Sequence, residues 1–205
     1  MNRYFTIHPT HPQLRLLRQA ADIVSSGGVI VYRIDSTYAL GCHIGDKHAL
    51  ERIRRIRRLD KHHHFTLVCR DLSELALYAR VDNSSFRVLK HYTPGPYTFI
   101  LKATREVPRR LVHSRKHTIG LRVPGTPIAR ELLEVLGEPL MSTTLILPEE
   151  SEPMTDPEEI RKRIGRQVDL ILDCGAGGFE TTTVIDLTSG VPELIRPGLG
   201  HFEVI

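Results

Sequence analysis

Gln13-Leu14-Arg15-Leu16-Leu17-Arg18-Gln19-Ala20-Ala21-Asp22-Ile23-Val24-Ser25-Ser26-Gly27-Gly28-Val29-Ile30-Val31-Tyr32 decides how the chain is read. Leu14, Leu16, Leu17, Ala20, Ala21 and Val24 recur at three- and four-residue spacings, which gathers them into one broad apolar stripe on a helix over Gln13–Ser25. Gly27-Gly28 ends that helix, because glycine enters the left-handed region without a Cβ clash. Val29–Tyr32 then reads as a short apolar strand. The same alternation continues outward in both directions, which places the chain in the α/β class. Tyr4–His8 precedes it as a strand. His48–Arg58 follows as a basic helix, Phe65–Cys69 as a strand, and Asp71 caps a further helix. Ser84–His91 is helical. Pro94-Gly95-Pro96 is a hard break, followed by strands at Tyr97–Lys102 and Thr118–Val123. Pro127 opens a helix that Gly137 closes. Leu140–Leu147 is a strand, Asp156-Pro157 starts a helix, and Val168–Leu172, Thr182–Leu187 and Glu193–Ile195 are the last strands. Pro148–Thr155, acidic and irregular, reads as a lid or a hinge.

The 205 residues suit one domain, residues 1–205, with a sizeable core. No apolar run reaches the length of a bilayer span, and the N-terminus lacks the apolar stretch of a signal peptide. Cys42, Cys69 and Cys174 are odd in number and far apart, so neither a disulfide framework nor a thiolate metal site is expected, and a cytoplasmic setting fits. The net charge of +4 is unevenly spread. Residues 51–64 hold Arg52, Arg54, Arg55, Arg57, Arg58 and Lys61 against Glu51 and Asp60, and residues 105–117 hold Arg105, Arg109, Arg110, Arg115 and Lys116 against Glu106. Separated charge of this kind steers anions, and a phosphate-bearing ligand, nucleotide or RNA, is the expected partner.

Within the basic helix, Leu50, Ile53 and Ile56 share the buried face. Arg54 and Arg58 lie one turn apart and are expected to meet solvent. Arg57 follows Ile53 by four residues and Leu50 by seven, so it points with the apolar stripe. It either snorkels to the helix end or projects into a cleft and meets a phosphate, for which its planar fork is suited. Lys61-His62-His63-His64 suggests metal to the eye. Adjacent side chains of an extended segment diverge, so no metal site is expected, and His63 is a donor to a phosphate or ribose. Gly175-Ala176-Gly177-Gly178 is either a phosphate cradle or a mobile turn. Neither basic stretch interleaves aromatic residues, which favours structured or double-stranded RNA over stacked single strands, with no DNA specificity indicated.

Several separated segments, in order and in register, carry a resemblance: Tyr32-Arg33-Ile34-Asp35-Ser36-Thr37-Tyr38-Ala39-Leu40-Gly41-Cys42, Pro94-Gly95-Pro96-Tyr97-Thr98-Phe99, Thr118-Ile119-Gly120-Leu121-Arg122-Val123-Pro124, Thr182-Thr183-Val184-Ile185-Asp186 and Leu194-Ile195-Arg196-Pro197-Gly198. Together they resemble the YrdC-like family of threonylcarbamoyl-AMP synthases, most closely its YciO branch. The resemblance implies a twisted mixed sheet flanked by helices around a concave basic cleft. It implies a reaction of ATP, with magnesium, bicarbonate and threonine that releases pyrophosphate and serves tRNA threonylcarbamoyladenosine formation. Members are also described as binding double-stranded RNA.

Carried onto this chain, the resemblance makes Ser36, Thr118 and Arg122 the threonine-binding residues. Arg57, His63, Ser142, Thr144, Thr182 and Arg196 become the nucleotide and phosphate set, and Arg54 and Arg58 the RNA-facing pair. A protein that keeps the binding but loses or retunes the chemistry is the alternative. Three departures point that way. The family's Lys-x-Arg reads Arg57-Arg58-Leu59, its Ser-x-Asn reads Thr144-Leu145-Ile146, and its Tyr-Pro-Thr-Glu reads Tyr32-Arg33-Ile34-Asp35, which removes a hydroxyl at Ile34. Each lost hydrogen-bonding group costs a polar ligand about 1–3 kcal/mol.

Overall fold

Four aspartates punctuate the chain. Asp46, Asp71, Asp82 and Asp156 each accept a hydrogen bond from a backbone N–H in the first turn of the helix that follows, which satisfies donors that a helix start leaves open. The computed structural model describes residues 3–60 and 63–203; Lys61 and His62 of the histidine run lie outside the described residues. In chain order the elements are β1 (Arg3–Thr6), α1 (Leu14–Ser25), β2 (Ile30–Ile34), β3 (Thr37–His43), α2 (Lys47–Arg57), β4 (Thr66–Val68), α3 (Leu72–Tyr78), α4 (Asn83–Tyr92), β5 (Tyr97–Lys102), β6 (Thr118–Arg122), α5 (Pro127–Leu136), β7 (Leu140–Thr144), α6 (Pro157–Ile164), β8 (Leu170–Asp173), β9 (Thr183–Asp186) and β10 (Glu193–Arg196).

The strands form one mixed sheet in the order β1-β8-β2-β3-β7-β4-β6-β5-β9-β10. The α/β class and the mixed sheet hold as expected. The N-terminal strand ends at Thr6 rather than His8, because its partner β8 ends opposite, at Asp173. The first hairpin is fuller than expected: β3, not anticipated as a strand, pairs with β2 across the two-residue turn Asp35-Ser36. β7 stops at Thr144 instead of Leu147, since Ile146 N–H turns back onto the Thr144 carbonyl and the chain leaves the sheet. Pro148–Thr155 is irregular but fastened. Met154 is buried and bonds the Leu145 carbonyl, Glu149 pairs with Arg58, and Glu150 pairs with Arg163. Those contacts make it a packed surface segment rather than a free lid.

Residues opposite each other across paired strands share a face, so register sorts the side chains. On one face Val31, Leu40, Met141, Leu67, Leu121, Phe99 and Ile185 join α2, α4 and α6 in one apolar cluster. On the other face Ile30, Tyr32, Leu170 and Leu172 pack under α1 and α5. Those two helices cover the β8-β2-β3 side. Beyond it, the same face of β7, β4, β6, β5 and β9 carries Ser142 and Thr144, Thr66, Thr118 and Gly120, Thr98, and Val184 and Asp186, and these residues line a cavity.

Candidate anion-binding cavity

The cavity is about 440 Å³, within the size range of small-molecule sites. Among the described residues its lining holds Arg57, Lys116, Arg122 and Arg196 against one acid, Asp186. Eight of the residues expected at the site meet here: Arg57, His63, Thr118, Arg122, Ser142, Thr144, Thr182 and Arg196.

Arg57 enters from the last turn of α2, because helical spacing aims it past Ile53 toward the sheet. Its Nε donates to the Ile146 carbonyl at 2.9 Å and its Nη1 to Thr143 Oγ1 at 2.6 Å. The cleft reading of Arg57 therefore holds over the snorkelling one. Burial lowers its pKa. His63 Nε2 lies 3.1 Å from the same Thr143 Oγ1. Burial, and then the Arg57 charge, push the His63 pKa down to about 4, so its imidazole is neutral near pH 7. Thr143 Oγ1 thus bridges the Arg57 guanidinium and the His63 ring.

Arg122, at the end of β6, is 7% exposed. Its Nη2 pairs with Asp35 Oδ2, while Asp35 Oδ1 accepts from Gly125 N–H at 2.9 Å. Asp35 sits at φ 49° in the hairpin turn, a conformation aspartate tolerates better than most residues. Arg122 Nε is buried without a hydrogen-bond partner, a costly state for a charged group. Thr98 Oγ1 and Thr182 Oγ1 bond each other at 2.8 Å, and Arg196 donates to the Thr182 carbonyl at 2.9 Å. Arg196 is exposed overall, yet partial burial of its guanidinium and then the Arg122 charge lower its pKa.

Three expected residues stand elsewhere. Ser36 is outside the lining, and its hydroxyl donates to the Glu180 carbonyl. Arg54 does not reach open solvent: its guanidinium lies 5.6 Å from the centre of the Phe65 ring, and its side chain is 16% exposed. The chain after α2 folds back and brings Phe65 over it, a contact helical periodicity alone does not contain. Arg58 is exposed, takes the left-handed position that ends α2, and pairs with Glu149. Gly175-Ala176-Gly177-Gly178 is a turn: the Gly175, Gly177 and Gly178 amides are bonded to Asp173, Thr155 and Ser36. Of the departures, Ile146 lines the cavity, whereas Leu59 packs against the core.

Sequence reasoning missed Thr143, Thr98, Thr66 and His113 as cavity residues, and took Lys116 only as part of a basic stretch. The strand alternation of Thr98 was a usable signal; the charge of residues 105–117 was one for Lys116, while the fold-back that brings His113 and Lys116 to the cavity has none. His64 and His113 stack at the cavity wall with ring centres 4.7 Å apart. Among the described residues no group of three or more His, Cys, Asp or Glu is placed to hold a metal ion, and no helix is long and apolar enough to cross a membrane.

An open twisted sheet with a cationic, hydroxyl-paved cavity on one face defines the class of α/β protein to which the chain is compared. The sequence model of the Sua5/YciO/YrdC family, described as "Telomere recombination", matches residues 22–198, and the chain belongs to that family. It is 58% identical over 203 residues to the YciO protein of Escherichia coli (strain K12), covering 99% of this chain and 98% of that one. The crystal structure of E. coli YciO superposes with a TM-score of 0.93 over 98% of both chains. A threonylcarbamoyl-AMP synthase of Nitrosococcus oceani is 34% identical over 157 residues, 76% of this chain and 84% of that protein. The P. abyssi Sua5 structure complexed with L-threonine shares the fold at a TM-score of 0.86 and 23% identity, covering 95% of this chain and 57% of that one.

Proposed function

We propose that the cavity binds ATP together with an amino-acid carboxylate and bicarbonate, and joins them in a carbamoyl-adenylate reaction of the threonylcarbamoyl-AMP type. The observation that carries this is Arg122: a nearly buried guanidinium on the cavity floor with an unpartnered Nε and Arg196 close by. In this reading Arg122 receives the carboxylate. Arg57, Lys116 and Arg196 hold phosphate oxygens, with Thr182 and Thr144 orienting them and His63 donating a ring N–H.

The chemistry needs no protein nucleophile. The amine takes up bicarbonate with loss of water, the carbamate oxygen attacks the α-phosphorus, and pyrophosphate leaves. Charge develops on phosphate oxygens, where fixed cations and hydroxyls stabilise it best. The lining suits an anion rather than a resident metal, so magnesium would come with the triphosphate and shield its charge. Titration calorimetry with ATP-magnesium tests the binding, and pyrophosphate release on adding bicarbonate and an amino acid, threonine first, tests the reaction. Absence of ATP binding would sink the reading. RNA binding has less to support it, since Arg54 is packed on Phe65 and Arg58 is paired.

A further inference from the structure

Residues 113–118 make a tight turn into β6. The His113 amide donates to the Thr118 carbonyl at 2.9 Å, and the His117 amide donates to the His113 carbonyl at 2.9 Å. Inside that frame the amides of Arg115 and Lys116 donate to the His113 ring, at Nδ1, over 3.2 and 3.1 Å. A backbone N–H only donates, so Nδ1 is the acceptor in both bonds. The ring does for this turn what an asparagine or aspartate side chain does when it accepts amides a few residues ahead. Its stack on His64 ties the turn to the segment that carries His63.

The turn delivers Lys116, which lines the cavity. Among the described residues the Lys116 ammonium has no hydrogen bond or ion pair. Sheet register sorts the cations of the cavity into two ends. Val184 lies opposite both Thr98 and Arg196, which puts Arg196 at the Arg122 end of β6. Thr66 lies opposite both Ser142 and Gly120, so Thr144 falls in the row of Thr118, not of Arg122. Arg57 and His63, both bonded to Thr143, therefore stand at the Thr118 end, and Lys116 with them. The two ends are about 13 Å apart, the length of four strand residues. One carboxylate does not span that distance. A nucleotide whose innermost phosphate meets Arg196 extends its outer phosphates toward Arg57 and Lys116.

We propose that His113 is a positioning residue: its ring holds the 113–118 turn in the shape that places Lys116 in the cavity, where Lys116 joins Arg57 in holding the outer phosphates of a nucleoside triphosphate. The inference rests on the nucleotide reading given above.

ATP-magnesium, AMP and inorganic pyrophosphate are titrated by calorimetry into the full chain and its variants. Lys116→Ala should weaken ATP and pyrophosphate roughly tenfold or more, the worth of one charge-assisted hydrogen bond, and AMP by less than about twofold. His113→Phe keeps a ring for His64 but offers no acceptor, and should lose as much ATP affinity as Lys116→Ala. His113→Asn gives up the stack but restores an acceptor for the two amides, and should return ATP affinity to within about twofold of wild type. The double variant H113F/K116A should be no weaker than either single one, because both remove the same contact. Lys116 is exposed, so Lys116→Ala keeps the test decisive should His113→Phe fold poorly. An asparagine variant as weak as the phenylalanine one, losses that multiply in the double variant, or equal losses for AMP and ATP overturn the inference. A wild type that binds neither ATP nor pyrophosphate overturns the nucleotide reading and this inference with it. Wild-type binding that Lys116→Ala leaves unchanged overturns this inference alone.

Discussion

The two halves of the sheet face the same choice and resolve it differently. In β8 and β2, Leu170, Ile171, Leu172, Ile30, Val31 and Tyr32 are all essentially buried, because helices lie on both faces. In β6 and β7 the order is Thr118-Ile119-Gly120-Leu121-Arg122 and Leu140-Met141-Ser142-Thr143-Thr144. In β6, Ile119 and Leu121 feed the apolar core while Thr118, Gly120 and Arg122 line the cavity; in β7, Met141 feeds that core and Ser142, Thr143 and Thr144 line the cavity. A strand covered twice becomes a continuous apolar run, and a strand covered once alternates. The difference between the covered half and the cavity half is thus one of coverage: α1 and α5 end where the cavity face begins.

Substitutions can widen or erase that difference. The largest effect is expected from Asp35→Asn, which keeps a residue tolerant of the left-handed turn but leaves Arg122 without its counter-charge. It should cost about 3 kcal/mol in urea unfolding, and ATP should raise the melting temperature of the variant more than that of the wild type, by supplying the missing anion. Ile171→Ala, in the covered half, should cost about 3 kcal/mol through cavity formation, with ATP affinity of the folded fraction nearly unchanged; a large loss of affinity would break the separation between halves.

A smaller effect concerns pH. The unfolded His63 imidazole takes up a proton near its ordinary 6.5, while the folded one waits until about 4. The unfolded state therefore binds more protons within that window. The contribution is fully present above pH 6.5 and is lost as pH falls toward 4. His63→Gln should flatten that part of the stability–pH curve. The smallest change is expected from Arg58→Ala, whose exposed pair with Glu149 is worth under about 1 kcal/mol, and less in high salt.

Where sequence reading succeeded, it had short-range physics to work with. Spacing to Leu50 and Ile53 put Arg57 on the apolar stripe and left two readings, of which the structure shows the cleft one. Capping aspartates, Pro127 and Gly137 located helix ends. Arg122 and Arg196, far apart in the chain, entered the site through a family resemblance rather than through periodicity. What stayed hidden was long-range. Arg54 is shielded by Phe65, Ser36 spends its hydroxyl on Glu180, and Lys116 returns to the cavity from a basic stretch whose fold-back no local pattern records. β3 was hidden for another reason: Thr37–His43 is buried along almost its whole length, and a nearly continuous run gives no alternation to detect.

The segment between Asp173 and Thr183 leaves β8, near one margin of the sheet, and delivers β9 beside β5, near the other. Along the way it is tied to the first hairpin, through the Ser36 hydroxyl on Glu180 and the Gly178 amide on Ser36. Thr182, Asp186 and Arg196 thus reach the cavity only after this crossing. The cavity therefore has walls drawn from both sides of one long crossing, and the hydrogen bonds at Ser36 hold that crossing against the first hairpin.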